Sequence, residues 1–311
     1  MGLAASKASI AALLLVLTVA AVAQGTGTWR TAAAMPSSRT EVTGASLEDR
    51  VYVIGGFGAG DAVEAYDPAT DRWERRAPLP TQVHHAAAVA IGGNLYVVGG
   101  YSGLMWSVLD SVYEYTPATD RWRERAPMPT PRGALAAAVI DGRIYAVGGV
   151  GRDRSNTGAL EVFDPAANRW ESRPPMPTPR DHHAAAAVDG KLYVIGGRLG
   201  GNYSRNLDAH ELYEPARNAW SARPPLPTPR SGIGAAVVGS RFFVFGGEGP
   251  NGTFGEVEAF DAGAGRWTAF ARMPTPRHGL AVVAHGGRIY VISGGPRPGG
   301  SFSSANEVFT P

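Results

Sequence analysis

Arginine and glutamate recur at fixed places in this chain. Arg39, Arg132, Arg180, Arg230 and Arg277 occupy one position of a repeated segment, and Glu64, Glu161, Glu211, Glu258 and Glu307 follow 25 to 31 residues later. One repeat lacks both: Val83 stands for the arginine and Tyr113 for the glutamate. If the two positions lie two strands apart at one end of a sheet, about 10 Å separates them, which a guanidinium on its long stem can cross. The expectation is therefore a set of structural ion pairs inside each repeat. The rival is a ring of cations offered to an acidic ligand.

Histidines gather just after the arginine position in alternate repeats: His84 and His85, His182 and His183 beside Asp181, and His278. Neutral imidazoles converging on one point could hold a metal ion. Hydrogen-bonded histidines are the expectation, with no metal and no cofactor. Between repeats lie irregular stretches carrying Tyr101, Trp106, Arg152, Arg154, Arg198, Tyr203 and Arg205, and further on Phe254, Arg297 and Phe302. Trp106 is out of step with the repeat; it reads either as a lid or as a stacking platform for a sugar ring or partner chain. The expected ligand-binding set is Tyr101, Trp106, Arg152, Arg154, Arg198, Tyr203, Arg205, His84, Asp181, His182 and His278. No catalytic set is legible, because the loop carboxylates Asp61, Asp110, Asp153, Asp208, Glu248 and Glu256 share no recognisable spacing.

The repeat itself dictates the elements that must position these groups. Gly-Gly pairs close apolar segments at Gly55, Gly99, Gly148, Gly196, Gly246 and Gly294, in steps of 44, 49, 48, 50 and 48 residues. Trp29, Trp73, Trp122, Trp170, Trp220 and Trp267 keep step, each 26 or 27 residues before the next pair. Each unit holds four short extended segments, such as Ala184 to Val188 and Leu192 to Ile195 joined by Asp189-Gly190, a favoured hairpin turn. Four strands in a repeat of about 50 residues make a propeller blade.

Gly-Gly after a Tyr-bearing strand, an aromatic-Asp-Pro turn such as Phe163-Asp164-Pro165, and a Trp opening the last strand resemble the kelch motif. The resemblance spans the chain six times over. It implies an all-β fold: a six-bladed β-propeller of four antiparallel strands per blade, ordered from the axis outward. The chain starts with a lone fourth strand around Thr28-Trp29-Arg30 and ends with a third strand, Glu307-Val308-Phe309. The N-terminal strand is thus expected to complete the last blade, hiding two sheet edges.

Two metal sites of kelch relatives are not matched. The Tyr-Cys crosslinked copper site of galactose oxidase needs a cysteine, and the chain has none. The iron site of plant specifier proteins needs Glu, Asp and His spaced by four, and no glutamate here is followed by Asp at the fourth position. The resemblance leaves one enzyme reading open, a sugar mutarotase or epimerase similar to N-acetylneuraminate epimerase.

At the front, Lys7 precedes an apolar run from Ile10 to Val22 that ends in Ala21-Val22-Ala23. That pattern is expected to be a secretory signal over residues 1–23, followed by one domain over 24–311 in a secreted or periplasmic location. The run is too short for a membrane span, and cleavage leaves none. Without Lys7 the remaining 28 basic residues face 27 acidic ones. So even a charge balance argues against nucleic acid as a partner. The expectation is an exported monomer, a binding module for a protein or glycan, acidic ligands included.

Overall fold

An Asp-Gly pair between apolar runs makes a tight hairpin because both central residues tolerate positive φ. In the fourth repeat Ala184–Val188 pairs with Lys191–Ile195 around Asp189 and Gly190, whose φ values are 51° and 68°. His210–Glu214 pairs with the second strand, and Ala219–Ala222 forms the outer edge. Alanines of the inner strand alternate between buried and half-buried. Their small side chains suit a position where several strands crowd around an axis.

The computed structural model describes residues 23–311. Among them this four-stranded antiparallel sheet occurs six times, over 43–75, 87–124, 136–173, 184–222, 234–269, and 281–310 joined by 28–31. The fold is thus an all-β, six-bladed propeller, and the one helical piece among the described residues is the 3-10 turn Pro117–Thr119. The expected export signal lies outside the described residues, apart from Ala23. No helix among the described residues is long and apolar enough to cross a membrane.

The sixth blade takes its outer strand from the other end of the chain: Thr28–Thr31 pairs with Asn306–Thr310, with Trp29 opposite Phe309. Just before it, Ala23–Gln24 runs parallel to Arg266–Ala269 and adds a fifth strand to the fifth blade, which the sequence did not suggest.

Three features bind blade to blade. Six apolar clusters lie between neighbouring sheets, such as Val147, Leu160, Val162, Leu192, Val194 and Tyr213 between the third and fourth. Each blade's tryptophan donates its indole N–H to a backbone carbonyl of the preceding connection, from Trp73 to Ala33 at 2.8 Å through Trp29 to Ala271 at 3.0 Å, which closes the circle. Around the axis runs a third ring. The amides of His85, Ala134, His182, Gly232 and Gly279 each donate to the carbonyl of the equivalent residue one blade earlier, and Val42 donates to Gly279.

The five repeated arginines are fully buried, four residues ahead of their inner strands. Each pairs with the glutamate of its own blade, for example Arg39 with Glu64 at 2.8 Å, Arg132 with Glu161 at 2.5 Å and Arg277 with Glu307 at 2.7 Å. Arg180 pairs likewise with Glu211, and Arg230 with Glu258. A Ser or Thr two residues before each arginine donates a further bond to the same carboxylate, as Thr178 does to Glu211 at 2.9 Å. In the second blade Thr81 instead lies 3.0 Å from the Tyr113 hydroxyl, beside buried Val83. There a neutral hydroxyl pair with apolar packing replaces the ion pair.

Candidate functional site

The residue after each Gly-Gly pair is aimed by the glycines. Gly197 has φ 104°, and a Cβ there would meet the Asp181 carbonyl at 2.8 Å. Only glycine lets the chain turn so closely over the inner-strand entry. Arg198 and Asp181 then exchange backbone hydrogen bonds of 2.9 and 3.1 Å. The same bridge joins Tyr101 to His84 and Glu248 to Ser231. Side chains from different blades thereby meet above the axis.

They form one buried polar network. His182 donates from Nδ1 to Asp181 at 2.5 Å, and its Nε2 accepts from Arg198 Nη2 at 2.8 Å. Arg198 also donates through Nε to Asp181 at 3.2 Å and through Nη1 to Glu248 at 2.6 Å. Asp181 accepts further bonds from Asn156 and the Gly201 amide. Across the axis Glu41 lies 3.2 Å from His85 Nε2 and 3.1 Å from His278 Nδ1. Gly279 makes room, since a Cβ there would meet the Glu41 carboxylate at 2.5 Å.

Electrostatics follow from burial and neighbours. Burial opposes ionisation of Glu41 and Asp181, but His85 and His278 around the first, and His182, Asn156 and Arg198 around the second, outweigh it. Both carboxyls are held below their ordinary range. Burial pushes His84 down and His85 well below the usual imidazole value. For His278 burial is outweighed by the Glu41 hydrogen bond and the Glu41 and Glu248 charges, which raise it.

Beside this network opens a cleft of about 700 Å³ between the loops of the second, third and fourth blades. Tyr101, Trp106, Leu104 and Met105 form one wall, Arg152 and Arg154 line it from the third blade, and His182 and Arg198 face it from the fourth. Trp106 is 44% exposed and packs 5.2 Å from Tyr101 and 5.6 Å from Phe57, centroid to centroid. Arg152 and Arg154 are exposed, and Arg198 is buried.

Of the residues expected to bind ligand, Tyr101, Trp106, Arg152, Arg154, Arg198 and His182 line the cleft. Asp181 is fully buried and orients His182 and Arg198. His84 stacks on Phe57 at 4.0 Å, lining a smaller cavity between the first and second blades. His278 is buried against Glu41 and the Arg297 carbonyl. Tyr203 and Arg205 sit on the largely exposed strand Asn202–Asn206, which pairs with Arg198–Leu199, and do not line the cleft. Sequence reasoning missed Glu41, Leu104 and Met105. Glu41 had a signal: it stands two residues after Arg39, in register with His85, two after Val83, and His182, two after Arg180.

One histidine away from this site makes a separate prediction. Buried His210 packs against Phe242, Phe260 and Trp267 and makes one hydrogen bond, from Nδ1 to the Pro224 carbonyl at 2.8 Å. Burial, despite that bond and helped by Arg223 and Arg180, brings its pKa down to about 4. The unfolded chain therefore takes up a proton near pH 6.5 that the folded chain refuses, so His210 lowers stability as pH falls from 6.5 toward 4. Thermal midpoints at pH 7.5 and 5 should differ less in His210→Phe than in the wild type; an equal drop in both would contradict this.

The family model described as KLHDC2/KLHL20/DRC7 Kelch-repeats domain matches residues 136–309, and the Kelch motif model matches residues 38–80 and 83–129. No curated protein matches the chain. A solved structure titled "Structure of YjhT" is similar to it with a TM-score of 0.78 and 20% identity, over 88% of this chain and 95% of that one. At that identity the likeness is one of fold.

Proposed function

The chain belongs to the kelch-repeat family of β-propellers, a fold that serves both protein-binding and enzymatic roles, and from that premise we propose that it is an exported binding module for a carboxylate-bearing ligand. The ligand is a glycan carrying a sugar acid or an acidic peptide segment, held in the cleft of the second to fourth blades. One observation carries this reading: aromatic and apolar side chains and three arginines line one cleft of about 700 Å³. That volume is in the range of specific ligand pockets, which are largely apolar with a few placed polar groups. Trp106, backed by buried Tyr101, gives a ring or side chain a flat surface, and Arg152 and Arg154 give a carboxylate its partner.

The test is an array of glycans and acidic peptides probed with the wild type and Trp106→Ala. We expect carboxylated ligands among the hits and a loss of at least about tenfold in their affinity for the variant, in line with aromatic anchors in other interfaces. Hits that keep their affinity in Trp106→Ala would place binding elsewhere.

A second reading, an isomerase acting on a sugar acid, is favoured by His182, which lines the same cleft beside Arg198 with buried Asp181 behind it. An imidazole oriented by a buried carboxylate is suited to take a proton from an anomeric hydroxyl, once its Nε2 exchanges the Arg198 hydrogen bond for the substrate's and the freed Arg198 donor turns to the substrate carboxylate. NMR exchange spectroscopy of N-acetylneuraminate decides it: this reading requires faster anomer exchange with the wild type and not with His182→Gln. An unchanged rate with the wild type leaves the binding module alone.

A further inference from the structure

Glu41, His85 and His182 bring one ligating atom each to within 4.8 Å of one another at the top of the axial cavity. We propose that these three side chains form a site for a divalent first-row transition ion, bound by His85 Nε2, His182 Nε2 and one carboxylate oxygen of Glu41. Two imidazoles and a carboxylate suit zinc, iron(II), cobalt and nickel. The inference stands apart from the proposed ligand, since an ion would bind here with the cleft empty.

Metal-binding histidines are typically fixed by a hydrogen bond from the other ring nitrogen, often to a carboxylate. All three residues have such a partner. Asp181 accepts from His182 Nδ1, so Nε2 carries no hydrogen and its lone pair is met only by Arg198. His85 Nδ1 is 2.7 Å from His84 Nδ1. Glu41 accepts from His278 through Oε1, which leaves Oε2 toward His85.

The count of hydrogens leaves a place for an ion in one of its arrangements. The Gly103 carbonyl, His84, His85 and the Glu41 carboxylate form a line of three contacts, at 3.4, 2.7 and 3.2 Å. Acceptors stand at both ends, and two neutral imidazoles supply two N–H groups for three contacts. If His84 donates to Gly103 and His85 to His84, then His85 Nε2 and Glu41 Oε2 face each other as two bare acceptors. A cation between them resolves that opposition. Arg198 donates to His182 Nε2 at 2.8 Å in this structure; when an ion takes that lone pair, the guanidinium keeps its bonds to Asp181 and Glu248.

A second group with metal-like spacing, Glu41, Glu248 and His278, reads differently. Both His278 nitrogens face acceptors, Glu41 at 3.1 Å and the Arg297 carbonyl at 3.1 Å. An ion there would cost His278 its hydrogen bonds on both sides, whereas His85 and His182 each keep theirs through Nδ1.

The test uses the full chain without a histidine tag, stripped with EDTA and desalted, titrated with Zn²⁺ by calorimetry and with Co²⁺ by visible absorption at pH 7.5. We expect one ion per chain, and a loss of affinity of at least about tenfold in Asp181→Asn, the size typical for a lost orienting partner. His85→Ala, His182→Ala and Glu41→Gln should lose more, and His210→Phe, a histidine elsewhere, should bind as the wild type does. Glu41→Gln keeps the side-chain shape and decides the matter if a histidine variant fails to fold. No saturable binding by the wild type, or binding as tight as the wild type's by both Glu41→Gln and the His85→Ala/His182→Ala double variant, would overturn the site. Ligand binding on the array with EDTA present reads the cleft separately, so either can fail alone.

Discussion

A chain that begins at Ala32 is expected to associate and to lose its cooperative melting. Thr28–Thr31 is the outer strand of the sixth blade, and its removal bares the Asn306–Thr310 edge with its unpaired N–H and C=O groups. Such edges template association with other chains. The loss also uncovers apolar surface: Val308 and Phe309 are fully buried, and the Trp29 ring lies 5.0 Å from Phe309. The indole bond from Trp29 to Ala271, which closes the outer circle, goes as well. Light scattering on a sizing column should find oligomers or aggregate, and calorimetry a broadened or absent transition. Trp29→Ala, which keeps the strand, should remain monomeric with a lowered midpoint. A truncated chain that stays monomeric and melts as the wild type would mean that the ring is not sealed by its N-terminal strand.

The second large effect concerns the buried ion pairs. Arg180→Ala should destabilise the protein by about 3–5 kcal/mol, because it leaves the Glu211 carboxylate buried without its partner. In a domain of this size that is on the order of a 10 °C fall in the melting midpoint. The second blade supplies the rescue, since Val83 and Tyr113 there occupy the positions of Arg180 and Glu211. Arg180→Val/Glu211→Tyr, with Thr178 left to meet the new hydroxyl as Thr81 meets Tyr113, should recover most of the loss. Replacing a buried pair by well-packed residues is often close to neutral, whereas halving it is not. If the double variant is as unstable as Arg180→Ala, the arginine's bonds to the Val194 and Gly196 carbonyls, at 3.0 and 2.7 Å, carry the stability rather than the ion pair.

The propeller was legible because its determinants recur. Gly196-Gly197, Trp220 and Asp189-Gly190 each meet a local requirement, for positive φ, for an indole donor between blades and for a tight turn, and each requirement returns in nearly every blade. The same comparison within one chain exposed the arginine and glutamate columns and their joint absence at Val83 and Tyr113. The site was only partly legible because it is where the repeats differ. Arg198, Tyr101 and Glu248 occupy one repeat position with three chemistries, and nothing in the sequence says that Arg198 spans from Asp181 to Glu248 in the next blade. Glu41 was missed because it stands alone in a column otherwise filled by His85, Ala134, His182, Gly232 and Gly279. Its carboxylate reaches His278 only because Gly279 has no side chain. The Ala23–Gln24 strand had no signal, for a two-residue backbone pairing places no demand on side-chain type.

The central claim is that a carboxylate enters the cleft between the second, third and fourth blades. The most direct measurement is calorimetric titration of the best carboxylated ligand from the array and of its neutral amide, each against the wild type and Arg152→Gln/Arg154→Gln. Both arginines are exposed, so the double variant should fold as the wild type does. The account predicts that the acid binds the wild type at least about tenfold more tightly than the amide, and that the double variant removes most of that difference, as expected for charge-assisted hydrogen bonds. Equal affinity for acid and amide, or an acid preference untouched in the double variant, would contradict it.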